Sequence, residues 1–178
     1  NCYAQEFPLA ISASIAMEQS YGHIDGDSAS LAELCCLISA LTLTPIKQSF
    51  AVTGSINQYG EVQAIGGVNE KIEGFFNLCK GRGLTGEQGC IIPKANSRNL
   101  MLKQEIIDAV AQDMFAIYTV SSVNEALELL TGETIGNKDS NGEYPESSLN
   151  FKVISRLKEI SDLGHDKDDE DNDEESEA

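Results

Sequence analysis

Short apolar segments that suit β-strands alternate along this chain with longer segments whose apolar residues recur at helical spacing. Predicted strands cover 8–17, 48–54, 88–92 and 115–120, and predicted helices cover 28–43, 68–80, 103–112 and 123–130. Strands that alternate with helices along a chain are typical of α/β and α+β proteins. The interleaving therefore predicts an α/β or mixed α+β class, and 178 residues are enough to bury one core.

Turn and capping residues lie at the ends of several predicted elements. Gln58-Tyr59-Gly60 predicts a turn, so residues 52–65 are expected to form a hairpin. Ser30 and Glu33 have the spacing of a capping box near the start of the first helix. Gly132 is expected to end the helix at 123–130. The first helix should bury one apolar face, formed by Leu31, Leu34, Cys35, Ile38 and Leu41.

The C-terminal part of the chain differs in composition from the rest. Residues 133–146 read as a polar linker, and 147–163 are weakly amphipathic, which predicts a helix. The net charge of the chain is −17, and residues 166–178 hold nine acidic residues and one lysine. A segment with so much charge and so little apolar surface is expected to be a disordered acidic tail, starting at residue 164.

Several classes of protein are disfavoured by what the chain lacks. No basic groove is expected, which argues against nucleic-acid binding, and no apolar run of about 18 residues is present, which argues against a membrane span. No Gly-x-x-x-x-Gly-Lys-Ser/Thr pattern occurs, so ATP binding by a P-loop is not expected here. His23 and His165 are far apart and do not have the spacing of zinc ligands, so no metal is expected.

Cysteine usage and the first residues bear on the location of the protein. The five cysteines have no Cys-x-x-Cys pair, and free buried thiols in a reducing compartment are the simplest interpretation. We therefore expect a cytoplasmic protein. The first seven residues lack the basic-then-apolar order of a signal peptide, and we expect the chain to be a segment of a longer protein.

Ser28 is the first candidate for chemistry. It lies in Asp25-Gly26-Asp27-Ser28-Ala29-Ser30, at a predicted junction between a turn and a helix. Unpaired N–H groups at a helix N-terminus can hold an oxyanion, and a serine there becomes a nucleophile if a base lies close. The alternative is an ordinary helix cap, for which Asp, Ser and Gly are the usual residues.

Lys71 is the candidate base, because neither histidine is well placed. It belongs to the stripe Val68, Lys71, Phe75 and Leu78 on the predicted helix 68–80. Burial disfavours the ammonium form of a lysine, and a neutral amine can accept a proton from a serine. The alternative is that the aliphatic stem packs while the charged end reaches water. Cys79 and Cys90 have apolar surroundings, which is typical of inert core thiols.

Five segments, taken together, resemble the proteolytic domain of Lon proteases over roughly residues 8–132. They occur in family order and spacing, and they are Asp25 to Ser30, Val52-Thr53-Gly54-Ser55, Gly60-Glu61-Val62, Ile65 to Ile72, and Ile91 to Asn96. The form Gly26-Asp27-Ser28-Ala29 is similar to the B-type branch of that family. The resemblance implies a compact α/β domain similar to domain 2 of ribosomal protein S5, and it assigns residues 1–132 to the peptidase.

The same resemblance implies site residues and partners. Ser28 corresponds to the family nucleophile and Lys71 to its base, while Thr53 corresponds to a residue that hydrogen-bonds near the lysine. Asp25 and Asp27 correspond to acidic positions near the nucleophile. The implied activity is ATP-dependent-type endopeptidase cleavage of unfolded or damaged proteins by a homo-hexamer. ATP with Mg²⁺ is expected only for a separate AAA+ ATPase module in the parent protein, and no cofactor is expected in this chain.

Two other functions stay open from the sequence. The chain could be a catalytically inactive assembly or scaffold domain, because a fold does not determine a function. It could also use its acidic segment to bind basic partners. If Asp25 or Asp27 lies close to Lys71, its carboxylate favours the ammonium form and opposes the role of the lysine as a base.

Overall fold

The computed structural model describes residues 3–5, 7–9, 11–16 and 26–176. Helices and strands alternate within these residues, as the sequence predicts. The elements are α1 (Ser30–Thr42), β1 (Phe50–Val52), β2 (Ser55–Ile56), β3 (Val62–Gln63), α2 (Val68–Arg82), β4 (Gly89–Pro93), a 3-10 helix (Lys94–Asn99), α3 (Gln104–Ala111), β5 (Ala116–Val120), α4 (Val123–Thr131) and α5 (Leu149–Ser176).

The central sheet is parallel, with the strand order β1-β4-β5. Parallel neighbours require a crossover connection, which α2 supplies between β1 and β4 and α3 supplies between β4 and β5. β4 and β5 approach closely at Gly89, where a Cβ atom would lie 2.7 Å from the carbonyl oxygen of Ala116. The parallel sheet and its crossover helices confirm the predicted α/β class.

Apolar residues pack on both faces of this sheet. Successive side chains of a strand point to opposite faces, so Ile91 joins one buried cluster while Cys90 and Ile92 join the other. The first cluster brings together α1, α4 and α5, and the second brings together α2 and α3. Every residue of β4 is buried as a result. The predicted face of α1 is correct, with Leu31, Cys35 and Ile38 fully buried.

Two local predictions are confirmed in detail. β2 and β3 form an antiparallel hairpin, with Ser55 opposite Gln63, and Gly60 in the turn has a φ of 76° that favours glycine. Gly132 caps the end of α4 in the left-handed conformation, with a φ of 73°. The beginning of α4 is capped by Ser122, whose hydroxyl accepts a hydrogen bond from the N–H of Glu125.

α5 is longer than the sequence predicts and belongs to the core. Leu149 and Val153 are each 1% exposed and pack in the same cluster as Leu31. The helical backbone runs to Ser176, beyond the end expected at residue 163. The acidic composition led to the prediction of disorder from residue 164. A shortage of apolar surface precludes a packed core there, but it does not decide the local backbone conformation.

Two other predictions of local structure are wrong. The part of the predicted strand 8–17 that is described, residues 8–9 and 11–16, has no regular structure. A strand needs a hydrogen-bonded partner, and no other described segment pairs with these residues. The capping box of Ser30 and Glu33 does not form either. The Ser30 hydroxyl instead accepts a hydrogen bond from the backbone N–H of Ile56, at 3.1 Å.

Candidate active site

Ser28 lies in a turn that enters α1, two residues before the helix begins. The turn is closed by a hydrogen bond from the N–H of Ser30 to the carbonyl of Asp27, at 3.0 Å. The carbonyl of Ser28 accepts two further bonds, from the N–H of Gly54 at 2.9 Å and from the Thr53 hydroxyl at 3.2 Å. The backbone of Ser28 is therefore fixed by the residues that follow β1.

The segment after β1 is fastened to the same turn at several more points. Leu31 N–H donates to the carbonyl of Gly54 at 3.1 Å, and the Ser55 hydroxyl donates to Asp27 Oδ2 at 2.7 Å. The approach depends on Gly54, since a Cβ atom there would lie 2.9 Å from Leu31 Cδ2. We call residues 53–56 the strap, because they hold the turn of Ser28 against the carboxyl end of β1.

Lys71 reaches this turn from the first turn of α2. Its Nζ lies 2.8 Å from Ser28 Oγ and 3.3 Å from Thr53 Oγ1. The first distance is within the hydrogen-bond reach that proton transfer requires. Since the one hydrogen of the Thr53 hydroxyl is donated to Ser28, its oxygen is left to accept from Lys71. Serine, lysine and threonine, separated by up to 43 residues, thus meet at one point.

The environment of Lys71 differs from the sequence prediction. The buried face of α2 consists of Val68, Ile72, Phe76 and Cys79, rather than the stripe that contains Lys71. Lys71 is exposed, and Leu78, which belonged to the predicted stripe, is 49% exposed. Both sets have helical spacing, and the direction in which the sheet packs decides which of them is buried. Lys71 is therefore not buried, as its interpretation as a neutral base supposed, but accessible to water, as the alternative supposed.

A cleft of about 270 Å³ opens beside the serine and the lysine. Its walls are mostly small or apolar, and the residues lining it are Ser28, Ala29, Ala32, Ala51, Val52, Thr53, Lys71, Ile72, Cys90, Ile91 and Ile92. Alanines on α1 and β1 leave room for an extended chain or a side chain. Polar groups converging on an apolar cleft are typical of a binding site.

Two backbone N–H groups near the Ser28 side chain are free to donate hydrogen bonds. Among the hydrogen bonds of the described residues, none uses the N–H of Ser28 or of Ala29. Both residues line the cleft. Unpaired N–H groups next to a nucleophile are the donors that stabilise an oxyanion, so the predicted location of these donors is compatible with the geometry.

The two acidic candidates have different outcomes. The Asp27 carboxylate accepts a hydrogen bond from the Ser55 hydroxyl. Among the described residues, no carboxylate forms an ion pair with Lys71. Asp25, like His23, lies outside the residues that the structure describes. The conflict foreseen between an aspartate and the lysine is therefore not observed for Asp27.

The cysteines near the site are buried thiols. Burial raises the pKa of Cys90 to about 12, with a smaller contribution from Cys79. Burial also raises the pKa of Cys79, and Arg82 opposes the change. A thiol that stays protonated is a poor nucleophile, so the interpretation of both as inert core residues is retained.

Neither Ser55 nor the close contact at Gly54 could be recognised as part of the site from the sequence. Both lie in the segment Val52-Thr53-Gly54-Ser55, which contributed to the family resemblance. The resemblance thus marked the segment, but it did not predict the bond from Ser55 to Asp27 or the close approach of Gly54 to Leu31. No group of residues suited to a metal ion occurs in the described ranges. Likewise, no helix there is both long and apolar enough to cross a membrane.

The fold and the cleft define a class: an α/β domain with a serine and a lysine in hydrogen-bond contact in the wall of an apolar cleft. The model of the Lon protease (S16) C-terminal proteolytic domain matches residues 15–132, and the chain belongs to this family. Membership supports a peptidase.

Relatives agree with this assignment. A Lon protease homolog of Escherichia coli is 55% identical over 70% of this chain and 21% of its own length. One of Haemophilus influenzae is 51% identical over 84% of this chain and 24% of its own length. An archaeal Lon protease of Methanocaldococcus jannaschii is 40% identical over 65% of this chain and 15% of its own length. The chain thus spans at most about a quarter of the length of these relatives.

Proposed function

We propose that this chain is the serine endopeptidase domain of an ATP-dependent type of protease, with Ser28 as nucleophile and Lys71 as general base. The observation that carries the proposal is the 2.8 Å separation of Lys71 Nζ and Ser28 Oγ, which both line the cleft. Family membership supports it, because the shared domain is a proteolytic one.

In the first step, Ser28 Oγ attacks the carbonyl carbon of a peptide bond held in the cleft. Lys71 accepts the hydroxyl proton as the new C–O bond forms. The N–H groups of Ser28 and Ala29 stabilise the negative charge on the carbonyl oxygen. When the C–N bond breaks, Lys71 returns the proton to the leaving amine, and an acyl-enzyme on Ser28 remains.

In the second step, water enters where the amine has left. Lys71 takes a proton from this water, whose oxygen attacks the acyl carbon, and it gives the proton back to Ser28 Oγ as the ester bond breaks. Thr53 assists both steps by position: its oxygen accepts one N–H of Lys71, which orients the lone pair of the neutral amine towards Ser28.

A base must be neutral before it accepts a proton, and Lys71 is exposed in this chain. A substrate that fills the cleft removes water from Lys71, because the lysine forms part of the cleft wall. Loss of hydration disfavours the ammonium form. We therefore propose that substrate binding, or a neighbouring subunit over the cleft, completes the environment that the base requires.

The wider setting is also part of the proposal. Unfolded or damaged proteins are the proposed substrates, and a homo-hexamer in the cytoplasm is the proposed assembly. The described relatives are at least about four times longer than the aligned region, which leaves room for an AAA+ ATPase module that would bind ATP and Mg²⁺. That module delivers the substrate, and the chemistry above uses residues of this chain alone.

The proposed function is tested by incubating the protein with a denatured, fluorescently labelled protein and counting new peptide termini by mass spectrometry. We expect cleavage by the unsubstituted chain and essentially none by Ser28→Ala. Equal cleavage by Ser28→Ala would refute the assignment of the nucleophile.

The exposure of Lys71 favours one alternative, a catalytically inactive assembly domain of the same fold. A fluorophosphonate that labels activated serines separates the two functions. Labelling at Ser28 that is lost in Lys71→Met supports the peptidase. Absence of labelling in the assembled full-length protein supports the inactive domain.

A further inference from the structure

The hydroxyl of Ser55 makes a contact that the proposed reaction does not use. Ser55 is 3% exposed, and its hydroxyl donates to Asp27 Oδ2 at 2.7 Å. Asp27 itself is exposed and directly precedes the proposed nucleophile. A buried serine is thus bonded to an exposed carboxylate one residue from the reacting hydroxyl.

The other bonds of the strap show that Ser55 is not needed to hold the turn itself. Backbone groups of Gly54 bond to the carbonyl of Ser28 and to the N–H of Leu31, and the N–H of Ile56 bonds to the Ser30 hydroxyl. None of these bonds involves the Ser55 side chain. What the Ser55 hydroxyl determines is the position of the Asp27 carboxylate.

That position matters because of charge. Asp27 directly precedes Ser28 in the chain, and Lys71 Nζ lies 2.8 Å from Ser28 Oγ. Both charged residues are therefore neighbours of the proposed nucleophile. An aspartate in contact with a lysine stabilises the ammonium, and an ammonium cannot accept the proton of Ser28. Among the described residues that line the cleft with Lys71, Cys90 on β4 is the other titratable group, and its buried thiol stays neutral. Glu70 directly precedes Lys71 on α2 and forms no ion pair with it.

We propose that Ser55 is a positioning residue that holds the Asp27 carboxylate away from Lys71, so that the lysine contacts Ser28 and Thr53 without an ionic partner. This inference rests on the proposed function. It assigns Asp27 two positions: held by Ser55, which leaves the base free, or released and paired with Lys71, which stops the reaction.

The test is the pH dependence of kcat for peptide hydrolysis by the full-length protein, with Ser55→Ala, Asp27→Asn and the double variant compared. Ser55→Ala should move the acid limb of the profile to higher pH by about one unit or more, which is about a tenfold loss of rate below the limb. The double variant should return to the profile of Asp27→Asn, because the released side chain is no longer charged. A lost hydroxyl with a merely structural role lowers the rate at every pH and is not corrected by Asp27→Asn.

A second variant covers the case in which Ser55→Ala does not fold. Asp27→Glu changes only an exposed residue, and we expect its extra methylene to displace the carboxylate from the position in which Ser55 bonds it. The acid limb should move upwards as in Ser55→Ala. An unmoved limb in Asp27→Glu, or a double variant that keeps the Ser55→Ala profile, overturns the inference.

Failure of this inference is distinguishable from failure of the proposed function. If Ser28→Ala cleaves as well as the unsubstituted protein, the proposed function fails and the role of Ser55 falls with it. If cleavage requires Ser28 and the profiles stay unmoved, only the role of Ser55 is rejected.

Discussion

Lys71 Nζ lies 2.8 Å from Ser28 Oγ, and the two residues come from the N-terminal ends of different helices. Those ends meet at Thr53, where β1 ends and the strap begins. The contact therefore depends on the packing of α1 and α2 around one strand. Lys71 lies on α2, and the turn of Ser28 is fixed by hydrogen bonds to the strap, so both members of the dyad are held in position.

If the dyad acts as a unit, substitutions of its two members are not additive. Ser28→Ala, Lys71→Met and the double variant should each lose at least about 10³-fold in kcat, with the double variant no slower than the single ones. Lys71→Arg should be equally inactive, because a guanidinium keeps its proton. Rates of peptide hydrolysis, with circular dichroism to verify folding, measure this. Substantial activity in Lys71→Arg would mean that only a positive charge is needed.

Thr53 should contribute by orienting the amine. Thr53→Val has nearly the same shape but removes the hydroxyl that bonds to Lys71 and to the Ser28 carbonyl. Lys71 becomes positively charged as it takes the proton of Ser28, and a hydrogen bond to a charged group contributes about 1.5–3 kcal/mol. We therefore expect kcat/KM to fall about 10- to 100-fold. Thr53→Ser keeps the hydroxyl and is the matched control. Equal rates for Thr53→Val and Thr53→Ser would show that the hydroxyl is dispensable.

Gly54 should tolerate no side chain, in contrast to another glycine of the same domain. Gly54→Ala places a Cβ 2.9 Å from Leu31 Cδ2 and 3.2 Å from Val62 Cγ1, and we expect a loss of about 1–3 kcal/mol in the free energy of unfolding. Gly81→Ala, inside α2 with open space around it, should instead gain about 0.5–1 kcal/mol from helix propensity. Urea denaturation of both variants measures the difference, and the same sign for both would contradict it.

The sequence predicted the elements better than their faces and contacts. The apolar run of β4 and the cap at Gly132 followed from local residues, and both are present. The face of α2 did not follow, because Val68-Ile72-Phe76 and Val68-Lys71-Phe75 both fit a helical period. The bond from Ser55 to Asp27 joins side chains 28 residues apart. No local signal encodes such a bond, since it depends on how the strap packs against the turn.

The cysteines should differ widely in reactivity with a maleimide. Cys36 is exposed, while burial raises the pKa of Cys35 and of Cys90 to about 12. At pH 8 only about one in 10⁴ molecules of such a thiol is ionised, so Cys36 should be labelled first. Mass spectrometry of a Cys2→Ser variant follows the labelling, and unfolding in urea should make all remaining cysteines react. Labelling of Cys90 as fast as Cys36 in the folded protein would contradict the buried position of β4.

The packing of α5 in the core should contribute to the stability of the domain. The family model ends at residue 132, yet Leu149 on α5 is 1% exposed and packs in the cluster that contains Leu31 of α1. Leu149→Ala should therefore lower the free energy of unfolding by about 2–5 kcal/mol, because it leaves a cavity in that cluster. Leu163→Ala on the same helix is the matched control, since Leu163 is 61% exposed, and it should change stability little. Urea denaturation monitored at the tyrosines compares the two. An equal, small effect of both substitutions would mean that α5 contributes little to the stability of the domain. A large effect confined to Leu149 would mean that residues beyond 132 stabilise the cluster against which α1 packs.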